Sequence, residues 1–187
     1  MEEVGEVELP PDFSLEIPRE GLLWLFMSGI GEELIYEYNI GWSEKMGRVV
    51  IPIYDGDNLI GVQCRAVFTG QVPKYMNRKG NSKGVFWANT ASYSKVVITE
   101  DILSAIKVGR LYGACSTLGT VLHDSIIAKY LLDKEVIVWY DGDEAGRKGS
   151  AKAMKALNMM GVDCREVLTD KDPKEYNIKE ARDIICG

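Results

Sequence analysis

The chain has 187 residues, 46% of them hydrophobic, and a formal net charge of −6, enough to bury one sizeable core or two small ones. No stretch approaches the roughly 18 uncharged apolar residues of a membrane span, and the acidic start lacks the basic opening of a secretory signal, so the expectation is a cytoplasmic protein with no membrane partner. Cys64, Cys115, Cys164 and Cys186 form no Cys-x-x-Cys pair, which argues for free thiols and against a zinc ribbon or a disulfide framework.

Residues 1–19 form an acidic leader carrying Pro10-Pro11, expected to be flexible or draped over the core. Leu22, Leu23, Leu25, Phe26, Ile30, Leu34, Ile35 and Tyr38 then recur at helical spacing. Ser28-Gly29-Ile30-Gly31 interrupts them, which predicts a helical hairpin. The run Val49-Val50-Ile51-Pro52-Ile53-Tyr54 and the run Leu59-Ile60-Gly61-Val62 flank Asp55-Gly56-Asp57-Asn58, and the Asp-Gly pair between them predicts a hairpin turn. Residues 45–83 hold seven bases, Lys45, Arg48, Arg65, Lys74, Arg78, Lys79 and Lys83, against two acids, whereas residues 1–44 hold eleven acids and one base. With Phe68 and Tyr75 interleaved, this stretch is a candidate surface for a nucleic-acid backbone and for base stacking, although composition alone equally fits a solvated face. Residues 70–89 are expected to be a long functional or mobile connection.

From Lys95 the pattern alternates strand and helix. Val96 to Thr99 is followed by helical spacing after Glu100, Ala114 to Leu118 by a helix through Ile126, Ile127 and Leu131, Val136 to Tyr140 by a helix through Ala153 and Leu157, and a last strand lies near residues 165–168. Such alternation predicts an α/β fold, a parallel sheet covered on both faces by helices. Met154, Met159 and Met160 are expected as core filler on the long helix. Lone His123 is expected at a surface or helix start.

Two of these strands end in carboxylates at a strand-to-helix junction, Glu100 after the first and Asp141-Gly142-Asp143 after the third. The C-terminal edge of an open parallel sheet is where ligands bind. Two acids one residue apart repel unless a cation intervenes, and Mg²⁺, a hard ion, takes one or two carboxylates together with phosphate oxygens. Arg147 and Lys148, in the first turn of the following helix, are placed to meet a nucleotide phosphate.

Glu100 with Asp141-Gly142-Asp143 and the following Glu144-Ala145-Gly146-Arg147 resembles the Toprim domain, the metal-binding fold shared by DnaG-type primases, topoisomerases and several nucleases. The preceding Gly47-Arg48-Val49-Val50-Ile51-Pro52, Gly61-Val62-Gln63-Cys64-Arg65-Ala66 and Pro73-Lys74-Tyr75-Met76-Asn77 resemble the N-terminal part of the primase core. Ser116-Thr117-Leu118-Gly119-Thr120 and Lys171-Asp172-Pro173 add to the likeness, which covers roughly residues 20 to 180. It implies a smaller mixed α+β basic subdomain over residues 20–93 and a Toprim domain with a central, mainly parallel sheet over 94–187.

By that resemblance Glu100, Asp141 and Asp143 are the catalytic carboxylates and hold one or two Mg²⁺ or Mn²⁺ ions, with Asp172 as a further ligand. Glu100 could instead act as a general base. Arg48, Arg65, Lys74, Tyr75 and Asn77 match positions that line the template and nucleotide groove in the family. The implied reaction is synthesis of short RNA primers on single-stranded DNA from ribonucleoside triphosphates, in a bacterial cytosol if the gene belongs to a phage. A replicative helicase and a zinc-bearing template-recognition module are the implied partners. The chain departs from the family pattern at Ser104 and Lys174, where acids are usual, and both changes are expected to thin the outer carboxylate shell. A metal-dependent Toprim nuclease and a non-catalytic nucleic-acid-binding accessory protein are the alternatives.

Overall fold

The computed structural model describes residues 7–79, 84–89 and 94–187. Lys83 and the acidic Glu2, Glu3 and Glu6 lie outside the described residues, as does the side chain of Lys79. The chain divides into two compact units, residues 1–84 and 85–187.

The first unit is an antiparallel meander in the order β1 (Phe13–Ser14), β2 (Gly41–Ser43), β3 (Arg48–Asp55), β4 (Asn58–Ala66) and β5 (Tyr75–Lys79). The predicted helical hairpin is present as α1 (Arg19–Met27) and α2 (Glu32–Glu37). Side chains alternate across a strand, and the register sets Arg48 opposite Ala66, Cys64 opposite Met76 and Val62 opposite Arg78. These share one face, where Val50, Val62 and Cys64 form a core packed by Val7, Leu9, Phe13 and Met46. Residues 7–13 of the acidic leader are thus held against the sheet. The other face carries Val49, Ile51, Gln63, Arg65, Tyr75 and Asn77. The segment read as a long connection contains two strands, β5 and, beyond the unit boundary, β6 (Phe86–Asn89).

In the second unit the strand order is β10-β9-β7-β8-β6. Its members are β7 (Lys95–Thr99), β8 (Gly113–Ser116), β9 (Glu135–Val138) and β10 (Asp163–Glu166), joined by α3 (Ile102–Gly109), α4 (Asp124–Tyr130) and α5 (Glu144–Met159), with α6 (Ile178–Cys186) closing the chain. All strand pairs are parallel except β6 with β8. The central strands are buried on both faces: Val96, Val97, Ile98, Val136, Ile137 and Val138 have no solvent exposure, which is why they are continuous apolar runs without alternation. Met154 and Met160 pack against this core, but Met159 is 78% exposed. It stands on the outer face of α5, so it is not the core filler expected. His123 occupies the N-cap position of α4 without a side-chain capping bond.

Candidate active site

Strands β7 and β9 are direct parallel neighbours with Ile98 opposite Val138, and the pairing continues as the Trp139 amide donates to the Ile98 carbonyl at 2.9 Å. Glu100 and Asp141 therefore leave the sheet at the same edge. Each has one buried oxygen without a hydrogen-bond partner, Oε2 of Glu100 and Oδ1 of Asp141. An orphaned buried carboxylate oxygen is costly and marks a place where a cation or proton belongs.

Small residues bring the flanking backbone to this edge. A Cβ on Gly142 would lie 2.6–2.7 Å from backbone atoms of Thr169 and Asp170, and one on Gly146 would strike the Asp141 carbonyl. The start of α5 can then fold directly onto the Asp141 backbone. The Asp143 side chain caps that helix, accepting from the Gly146 amide at 2.7 Å. The loop after β8 braces Glu100 from the other side. The Glu100 carbonyl accepts from the Ser116 hydroxyl at 2.9 Å and from the Gly119 amide at 3.0 Å, with Leu118 in the left-handed region at φ 57°. Ser116-Thr117-Leu118-Gly119-Thr120 thus fixes the backbone of an acid to which its own side chains contribute no charge.

Electrostatics tie the acids together. Burial, with added repulsion from Asp143, Asp101 and Asp172, pushes the Glu100 carboxyl above its ordinary range. Burial also raises Asp141, to about 7; Lys174 opposes that rise and Asp101, Asp172 and Glu100 add to it. Both shifts express carboxylates gathered where water is scarce and like charge is close.

Asp101 and Lys174, absent from the residues expected to form the site, lie inside this field. Asp101 caps α3 through the amides of Leu103 at 2.9 Å and Ser104 at 3.2 Å, and the buried Ser104 hydroxyl donates to it at 2.6 Å. Lys174 donates to Asp172 at 2.8 Å and to Asp101 at 3.0 Å, and its Nζ stands 3.9 Å from Asp141 Oδ2. Burial is the largest single influence on this ammonium and pulls its pKa down, but the attraction of Asp101, Asp172 and Asp141 outweighs it and the net shift is upward. The outer shell is therefore refilled with a carboxylate at one of the two departures and given an ammonium at the other. Asp101 supplies a carboxylate beside Ser104, and Lys174 is enclosed by the acids. An Asp at a helix N-cap three residues before a Ser is a local pair that the sequence displays; the contact of Lys174 with Asp101, 73 residues away, has no such signal.

Among the described residues, no three His, Cys, Asp or Glu side chains are gathered tightly enough to make a finished metal cage. The donor set nevertheless fits a hard divalent cation. Two oxygens lack partners, the acids repel one another, and all the donors are carboxylates. Arg147 donates to the Gly142 carbonyl at 3.2 Å and to Asp170 at 3.3 Å, while Lys148 pairs with Glu144.

In the first unit, Arg65 sits 4.2 Å from the Tyr75 ring centroid and 5.3 Å from that of Trp24. Its Nε and Nη1 are buried without partners. Lys74 approaches the same Tyr75 ring at 5.6 Å, and Asn77 accepts from Gln63 at 3.0 Å. Arg48, 3% exposed and with Nη1 unpartnered, belongs to the opposite sheet face. The structure thus brings Arg65, Tyr75 and Asn77 together and separates Arg48 from them.

Residues 98–177 match the Toprim-like family. The chain is 30% identical over 162 residues to a DNA primase of Campylobacter jejuni, covering 76% of this chain and 26% of that protein. It is 33% identical over 163 residues to a DNA primase of Aquifex aeolicus, covering 74% and 32%. The chain therefore spans about a third or less of the curated relatives it matches. The solved zinc-binding and RNA polymerase domains of the Aquifex aeolicus primase superpose with a TM-score of 0.76 at 22% identity, over 90% of this chain and 56% of that one.

Proposed function

We propose that this chain, which carries a Toprim core of the DnaG type, is the catalytic core of a DNA primase that joins ribonucleotides into short RNA on single-stranded DNA. The observation that carries the proposal is the pair of adjacent parallel strands delivering Glu100 and Asp141, each with a partnerless buried oxygen, to one edge beside Asp143. Those three carboxylates would hold Mg²⁺ or Mn²⁺, with Asp172 near by. An ion held there would supply stabilisation of the negative charge that develops on oxygen during nucleotidyl transfer.

The remaining work belongs to the chain's own residues. Near neutral pH the Asp141 carboxyl, raised to about 7 chiefly by burial, holds a proton for part of the time; a bound cation would favour its ionised form. The Ser116 hydroxyl and Gly119 amide hold the Glu100 backbone, so the carboxylate can be aimed without reorganisation. Arg147 and Lys148 exchange exposed partners, Asp170 and Glu144, for the triphosphate, a small loss because such exposed pairs contribute little. Arg65 and Tyr75 offer a cation and a ring to the template, with Lys74 and Asn77 as the further contact residues, whereas Arg48, buried on the opposite sheet face, is left out of the proposed contact surface. Replicative helicase and a zinc-bearing reader of the start site are the proposed partners, and the cytosol of a bacterial host the proposed setting. No helix among the described residues is long and apolar enough to cross a membrane.

The test is incubation with single-stranded DNA, labelled ribonucleotides and Mg²⁺ or Mn²⁺, resolved on a denaturing gel beside Glu100→Gln and Asp141→Asn. New short RNA that both substitutions abolish is expected. Shortened DNA abolished by the same substitutions would replace the proposal with a nuclease, and neither product would leave an accessory binding protein.

A further inference from the structure

The ammonium of Lys174 lies among three acids, 2.8 Å from Asp172, 3.0 Å from Asp101 and 3.9 Å from Asp141. Its side chain is 24% exposed, and those of Asp101 and Asp141 are 13% and 19% exposed, so the group is largely withdrawn from water. The backbone beneath it is pinned. Lys107 donates to the Lys174 carbonyl at 2.8 Å, Pro173 is buried, and Asp172 and Glu175 close a capping box around the single 3-10 turn at Pro173–Glu175. A lysine on a solvated stem would not be held from so many sides.

We propose that Lys174 is a built-in cation of the carboxylate cluster, taking the place a second divalent ion would hold among Asp101, Asp172 and Asp141, so that Glu100, Asp141 and Asp143 bind a single ion. The inference rests on the reading of those three acids as metal ligands and assigns to Lys174 a positioning role. Its three N–H donors match three surrounding carboxylates, and unlike Mg²⁺ it needs no octahedral shell. Two of its acids are engaged at hydrogen-bond distance. Asp141 is only approached, and its Oδ1 stays without a partner, so the residue at the centre of the cluster is left available to an ion on the side of Glu100 and Asp143. Charge argues the same way. Asp101, Asp141 and Asp172 surround one ammonium, and a second dication in the pocket of Lys174 would meet a fixed positive charge, which the low local dielectric makes strongly unfavourable.

The experiment is titration of the whole chain with Mn²⁺ alone, with no nucleotide or DNA, read by calorimetry and by the free-Mn²⁺ resonance signal, beside a thermal melt with and without the ion. Wild type and Lys174→Arg are expected to bind one Mn²⁺. Lys174→Met, similar in length and uncharged, and Lys174→Asp are expected to bind two and to show a larger ion-induced rise in melting temperature than wild type. Should Lys174→Met fold only when Mn²⁺ is present, the ion has replaced the ammonium and the inference stands. Equal stoichiometry and equal ion-induced shifts in wild type and variants would overturn it, as would two ions in wild type. Failure of both Lys174→Met and Lys174→Asp to fold at any Mn²⁺ concentration would overturn it too. Wild type binding no ion while Lys174→Met binds one would keep Lys174 as the resident cation and reject the metal reading of Glu100, Asp141 and Asp143. No ion in any form rejects both.

Discussion

Asp55-Gly56-Asp57 and Asp141-Gly142-Asp143 are the same three residues in opposite settings. The first links β3 to β4 in a tight hairpin, with Asp55 opposite Asn58; Gly56 adopts φ 61° and a Cβ there would meet open space, while Asp57 is exposed. At the second, the chain leaves a strand buried on both faces and turns into a helix of sixteen residues; Gly142 is crowded by backbone, and Asp141 is half-buried with a carboxyl raised to about 7. In the hairpin glycine is needed for its backbone conformation, and at the sheet edge for its lack of volume. Carboxylates acquire chemistry only where burial removes water and topology adds other acids.

The largest expected contrast is in activity. Asp141→Asn should lower primer synthesis by at least about 100-fold, since losing even an outer partner of a metal ligand costs about 10–100-fold, whereas Asp57→Asn should leave the rate within about twofold, like other surface changes. Equal losses in the two variants, measured on the same template, would break the comparison at its centre.

The two glycines separate volume from conformation. Gly142→Ala forces a Cβ against the backbone of residues 169–170, and should destabilise the second unit by about 3 kcal/mol, the upper end for overpacking because backbone yields less than a side chain. Gly56→Ala meets only the left-handed backbone penalty, about 1 kcal/mol. Urea unfolding of both variants measures the difference, and an equal or reversed order would show that residues 169–172 move aside freely.

Protonation gives the next contrast. Asp141 rises from an ordinary 3.8 to about 7, chiefly through burial, so the ion-free fold favours the neutral acid. The stability it contributes is fully present below about pH 4 and is lost as pH climbs through about 7. Asp141→Asn cannot ionise, so in chelator it should gain on wild type by about 2 kcal/mol between pH 4 and pH 8, a figure below the full shift because the group is partly solvated. Saturating Mg²⁺ should remove that gain. Asp57→Asn should show no such pH-dependent difference. Urea midpoints across pH, with and without the ion, read the effect.

Much of this was legible in the sequence, for physical reasons tied to particular residues. Val96 to Thr99 and Val136 to Tyr140 are short, largely apolar runs that alternate with helical spacing, which points to buried parallel strands, and each ends in a carboxylate; that the two strands are direct neighbours came only with the sheet order. The helical hairpin and the Asp-Gly turn are equally local. Strand β6 was not legible, because four residues pairing antiparallel with β8 carry no periodic signal and sit in a Gly- and Asn-bearing stretch. The division of Arg48 from Arg65 depends on register, which a one-residue slip would reverse. Lys174 was visible as a departure from the family pattern, but its enclosure by Asp101, Asp141 and Asp172 is long-range and could be seen only once α3 and the 3-10 turn were in place.

The smallest contrast concerns Asp143, which does two things at once. One oxygen accepts from the Gly146 amide at 2.7 Å and starts α5, and the carboxylate adds to the field that raises Glu100. An asparagine caps a helix about as well as an aspartate, and alanine costs about 1 kcal/mol at such a position. Asp143→Ala should therefore lose about 1 kcal/mol of stability in chelator, Asp143→Asn close to none, and Asp57→Ala within about 0.5 kcal/mol of wild type because its hairpin site is exposed. In Mn²⁺ titrations Asp143→Asn and Asp143→Ala should both bind the ion more weakly than wild type, because capping needs an acceptor oxygen while ion binding needs the negative charge. If Asp143→Asn kept full stability and full Mn²⁺ affinity, Asp143 would be a helix cap alone, and its half of the Asp-Gly-Asp turn would be as structural as the hairpin's.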